Sequence, residues 1–154
     1  MFAASGNPND TSDQTLLNLA FYPDIVVADF RGVIRAQDSV TDERVIWALQ
    51  NAMIEVNDEL EAWRYTKELD GFLNITEIPA NIYGVISELV LLYNTAVYSK
   101  AKALLLEYYT DADNTPDGDD RAVAFEHTVD VYLREAKEAL RKILGVPRIT
   151  VELI

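Results

Sequence analysis

The chain has 154 residues, no cysteine, and 26 acidic against 13 basic side chains, for a net charge of −13. Disulfides, thiolate metal sites and cysteine nucleophiles are thereby excluded, and so acidic a surface repels nucleic-acid phosphates and argues against sequence-reading DNA binding. The length is that of one ordinary domain, able to bury roughly 68–70% of its unfolded surface without a covalent staple.

Reading in chain order, "MFAASGNPNDTSDQT" is polar, lacks the basic start and apolar centre of a signal peptide, and reads as a mobile segment. In "FYPDIVVADFRGVIR" (21–35), Pro23 suits a first helical turn, and Val27, Phe30 and Ile34 fall at helical spacing, so a short helix is expected. Next, Thr41 is a good N-cap with Asp42 and Glu43 at the positive helix end. Val45, Leu49, Ala52, Met53, Val56, Leu60 and Trp63 then make one apolar stripe, the mark of a single helix of about 26 residues. On its opposite side lie Trp47, Ile54 and Tyr65, flanked by Asp58 and Glu61. These are either scattered exposed apolar residues or contacts of the N-terminal segment, or the aromatic anchors of a subunit interface.

"GFLNITEIPANIYG" (71–84) reads as a connection passing into a third helix near Asn81. From Ile82 to Tyr109 the sequence is apolar almost all round, with Glu88, Thr95, Ser99 and Lys102 as a narrow polar edge, as expected of a central bundle helix. An acidic turn, "TDADNTPDGDD" (110–120), leads to a last helix from about Asp119 to Leu144. Its expected inner face is Ala122, Phe125, Val129, Leu133, Ala136, Leu140 and Ile143, and Gly145 and Pro147 end it. The fold class is therefore all-α: a bundle of about four helices, one short and three long. It carries an extended N-terminal arm (1–20), a bundle domain (21–145) and a strand-like C-terminal tail (146–154). No apolar run approaches the roughly 18 residues of a membrane span, so a soluble, intracellular protein without membrane contact is expected.

No constellation of catalytic residues emerges. His127, the only histidine, falls on the outward face of the last helix, with no GxSxG-type nucleophile to serve. Aligned as a calcium loop on Gly118, the acidic turn has Asp113 first and Asp117 fifth, but Thr115 third and Ala124 where a bidentate Glu belongs, so it reads as a plain turn. A di-iron bundle needs two Glu-x-x-His pairs, which one histidine cannot supply. Glu55, Asp58, Glu59 and Glu61 read as a solvated or interface rim, with Glu61 and Arg64 a minor helical pair. The expectation is no enzyme, no cofactor and no metal.

Several phrases occur together: "FYPDI", "VTDERVIWALQNAMIEVNDELEAWR", "LYNTAVYSKAKALLLEYYTDADNT", "GDDRA" and "ILGVPRITVELI". In this order they resemble the phage head completion proteins of the GPL type, over roughly residues 21–154. The resemblance implies a structural virion protein, assembled in the host bacterial cytoplasm, that attaches beneath the portal protein after DNA packaging. It would stabilise the filled head and present a platform to neck or tail completion proteins. It further implies self-association into a ring, twelve copies to match the portal, through which DNA passes without specific binding. A lumen lined by some of the negative charge would favour passage, although ordinary solubility explains that charge as well.

In the tail, Ile149, Val151 and Leu153 would point one way along a strand, with Thr150 and Glu152 opposite. A helical bundle supplies no sheet edge, so the tail either lies on its own bundle, stays disordered until assembly, or adds to a partner. The resemblance favours docking to the portal or a neighbour through Arg148, Ile149, Thr150, Val151, Glu152, Leu153 and Ile154, with Trp47, Ile54, Tyr65, Asp58 and Glu61 as lateral contacts. The rival reading is an acidic DNA mimic or other regulatory protein-binding module.

Overall fold

Helix α4 (Glu88–Thr110) is the axis of the molecule: α2 (Asp42–Glu59) packs on one of its faces and α5 (Gly118–Leu144) on another. This computed structural model describes residues 14–34, 40–110 and 118–147. The remaining elements are β1 (Thr15–Leu16), β2 (Ile25–Val26), α1 (Val27–Val33), α3 (Glu61–Leu69), a single 3-10 turn (Ile75–Glu77), β3 (Ile82–Tyr83) and β4 (Ile86–Ser87). β1 pairs antiparallel with β2, and β3 with β4.

Each helix forms where its local chemistry directs. The Thr41 hydroxyl accepts from the Arg44 N–H at 3.4 Å, so α2 starts at its expected cap, and Val45, Leu49, Ala52, Met53, Val56 and Leu60 are buried as one stripe. On α4, Tyr93, Ala96, Val97, Ala101 and Leu105 are buried, consistent with a central helix. Helix α5 ends as its glycine predicts. Gly145 takes φ +68°, its N–H donates to the Lys142 carbonyl, and the Val146 N–H donates to the Arg141 carbonyl at 3.1 Å. That is the Schellman closure, and α3 ends the same way at Gly71 (φ +98°).

The four-helix expectation needs correction in three places. The predicted 26-residue helix is interrupted at Leu60 (φ −94°, ψ 0°), giving α2 and α3, so the described residues hold five helices. The Leu60 N–H still donates to the Val56 carbonyl (3.0 Å) and the Arg64 N–H to the Leu60 carbonyl (2.8 Å), so the two helices meet end to end, and the apolar stripe runs on through Leu60 to Trp63 without marking the break. Second, the segment assigned to the start of the third helix is a hairpin. Gly84, at φ +65°, occupies the first position of a two-residue turn between Tyr83 and Ile86, the place a type II′ turn reserves for glycine, and β-branched neighbours favour the extended state. Third, the short helix covers only Val27–Val33, because Ile25 and Val26 pair with β1.

Residues 14–20, grouped with the N-terminal arm from sequence, lie folded against the bundle. Leu16 is buried, and Asn18 is held by a polar knot. Its amide nitrogen donates to the Tyr93 hydroxyl (2.7 Å) and the Pro23 carbonyl (2.8 Å), while its amide oxygen accepts from Asn57 (2.9 Å). The Tyr93 hydroxyl in turn donates to Asn57 (2.7 Å), so three elements share one closed set of bonds. Arg31 ties the end of α1 to the start of α2, bonding Asp42 (2.9 Å from Nε) and the Val40 carbonyl (2.9 Å).

Candidate assembly surfaces

Trp47, Ile54 and Tyr65 all face outward, 42, 59 and 52% exposed, with Asp58 and Glu61 exposed beside them. The break at Leu60 divides this set: Trp47, Ile54 and Asp58 belong to α2, and Glu61 and Tyr65 to α3. Trp47 meets the edge of Tyr108 on α4, ring centroids 5.0 Å apart at 82°. With Glu43, Arg44 and Leu105 the two rings line an open groove of about 480 Å³. Sequence reasoning missed Tyr108, since the all-round apolar character of α4 gave no sign of which aromatic would emerge beside α2. On α3, the Tyr65 hydroxyl donates to Glu61 (3.4 Å) and the Arg64 guanidinium stands 5.0 Å from the Tyr65 ring centre.

The carboxylate rim is less free than expected. Lys100, from α4, bonds Glu59 (2.9 Å) and Glu55 (3.2 Å), clamping α2 to α4. Burial alone would lower the Lys100 pKa, but the hydrogen bonds to Glu59 and Glu55 outweigh it and raise the ammonium above its ordinary range. Arg64 pairs with Glu68 (3.6 Å), in place of the expected Glu61. Ser99, assigned to a polar edge, is buried and donates to Glu135 on α5 (3.3 Å). Leu133, assigned to the inner face of α5, is 43% exposed, and Ala139 takes its place in the core.

A second open groove, of about 360 Å³, runs between α4 and α5 past Leu92, Thr95, Arg134, Glu135, Glu138 and Lys142. The Thr95 hydroxyl there is committed to the Leu91 carbonyl (2.8 Å), so it is no nucleophile in waiting. His127 is exposed on α5. Among the described residues no three His, Asp or Glu side chains converge as metal ligands, and no helix is long and apolar enough to cross a membrane. Asp113 to Asp117 lie outside the described residues, as do Arg148 to Ile154 and the first thirteen positions.

Further apolar side chains are exposed on α3, the turn after it and the hairpin: Leu69, Leu73, Ile82, Tyr83 and Val85. An acidic helical unit that offers exposed apolar patches and open grooves is suited to contact with other proteins. The comparison with known proteins agrees: the chain belongs to the phage head completion protein (GPL) family, whose model matches residues 16–154. The head completion/stabilization protein of Escherichia phage P2 is 32% identical to it over 148 residues, covering 96% of this chain and 88% of the relative. No solved structure matches the chain. The family is a structural one, of phage head completion, and not a class of enzymes.

Proposed function

We propose that this protein seats beneath the portal after DNA packaging, stabilises the filled head, and forms the platform on which neck or tail proteins attach. Family membership along nearly the whole chain carries this reading. In it, copies associate laterally into a ring of portal symmetry through Trp47, Ile54 and Tyr65, with Asp58 and Glu61 at the rim, and the ring occupies the neck of the virion. Exposed aromatic and apolar anchors beside a charged rim support that lateral contact, because such composition is typical of interface centres. The net charge of −13 supports a channel that lets duplex DNA slide, since acidic walls release no counterions on contact.

Arg148 to Ile154 form the docking tail in this reading. The glycine closure at Gly145 and the proline at 147 support it, because together they stop α5 before the tail begins. The test is binding to the cognate portal ring, by sedimentation or electron microscopy, for the full chain and for one ending at Gly145. Decoration by the full chain alone is the expected result. Equal binding by both would move the contact onto the bundle, and binding by neither would overturn the portal reading.

A further inference from the structure

Among the described residues, nothing covers one edge of the β3–β4 hairpin. Glu88 N–H donates to the Asn81 carbonyl at 2.9 Å, and Ile82 stands opposite Ser87. Antiparallel alternation therefore turns the Asn81 and Tyr83 main-chain groups inward and the Ile82 N–H and C=O outward. Among the described residues nothing bonds the Ile82 main chain. β4 runs directly into α4, so β3 is the more open side, and Ile82 and Tyr83 are exposed while Ile86 and Ser87 are half-buried. Val85, at the tip, is fully exposed. A lone two-stranded ribbon with an apolar, unpaired edge is a template for another strand. The β1–β2 pair is not, since its Leu16 and Ile25 are already buried.

The strand to fill it is carried by the same chain. The last turns of α5 flank the first turns of α4, for Ala139 and Lys142 share a groove with Leu92 and Thr95, so α5 ends toward the hairpin's end of α4. Residues 148–154 span roughly 23 Å when extended, ample for a ribbon this short. Their alternation gives one apolar face, Ile149, Val151 and Leu153, to lie with Ile82, and Glu88 at the hairpin base offers Arg148 a counter-charge. We propose that the Arg148–Ile154 segment of a second copy adds to the β3 edge of this hairpin. Donor and acceptor are different surfaces of one chain, so each contact is head-to-tail, the kind whose repetition closes a ring when the rotation between copies returns on itself. The inference rests on the assembly reading above and names the acceptor that reading leaves open.

The absence of cysteine makes the test direct. Ile82→Cys is combined in turn with Ile149→Cys, Thr150→Cys, Val151→Cys and Glu152→Cys. Each pair is oxidised both free at high concentration and on the cognate portal ring, with circular dichroism confirming the fold. Strand addition predicts cross-links between copies that alternate along the tail, strong at every second position and several-fold weaker between, because a strand shows alternate side chains to one face. Cross-links only within one chain, or an even, non-alternating pattern, or none, would overturn the proposal. Loss of cross-linking with portal decoration intact would sink this acceptor alone and leave the portal reading standing.

Discussion

Tyr22 and Tyr93 stack face to face, ring centroids 4.8 Å apart and 10° from parallel, yet their hydroxyls have opposite fortunes. Tyr93 is bonded to both Asn18 and Asn57, whereas the buried Tyr22 hydroxyl has no partner among the described residues. Tyr93→Phe should therefore cost about 1–3 kcal/mol, by taking a partner from two half-buried amides, whereas Tyr22→Phe should be neutral or gain about 1 kcal/mol. Urea unfolding of the two variants beside the parent decides it, and equal losses would show that the knot contributes nothing. Burial pushes the Tyr22 pKa up to about 12 and that of Tyr93 higher still. Both groups stay protonated in the folded state after the unfolded chain has begun to ionise near its ordinary value of about 10. Their contribution is therefore complete below pH 10 and lost as pH rises through the folded values, so stability should fall above pH 10, less steeply in Tyr22→Phe. A pH series of unfolding midpoints checks the slope.

At the scale of elements, the helix ends and the Leu60 break set where surfaces begin. Gly145 has a left-handed conformation that a side chain disfavours, so Gly145→Ala should cost about 1–2 kcal/mol and fray the last turn of α5. Amide exchange near Ile143 and Leu144 would report it, and unchanged protection there would mean that the closure does not hold the helix end. Leu60 is fully buried at the junction of α2 and α3, and Leu60→Ala should lose about 2–5 kcal/mol in a thermal or chemical melt. The two ends of α2 show what a sequence reveals and what it hides. Thr41 caps within three residues and was legible. The break at Leu60 was not, because the apolar stripe runs through it unchanged, from Val56 through Leu60 to Trp63.

For the whole molecule, α2 and α5 pack on separate faces of α4, which leaves each with an outward face available to neighbours. Ile54 is exposed, so Ile54→Arg should shift the melting temperature by no more than about 2 °C while abolishing lateral association on the portal ring. Analytical sedimentation with the portal reads the second effect, and retained decoration would remove the α2 face from the interface.

Helical class, the caps at Thr41 and Gly145, the central place of α4 and the outward aspect of Trp47 and Ile54 were all determined by the sequence alone, because each depends on residues within one or two turns of one another. The family resemblance too was written in contiguous stretches, "EVNDELEAW" and "ILGVPRITVELI" among them. Tertiary structure decided the rest. The Asn18–Asn57–Tyr93 knot joins residues 36 to 75 positions apart, and the Lys100 clamp reaches 41 and 45 positions back. The hairpin at Gly84 lay within an apolar run that fits helix and strand alike over so short a length. Which buried polar groups find each other, and where an apolar run changes from extended to helical, is settled by packing across the chain, whose energies exceed the local preferences they override.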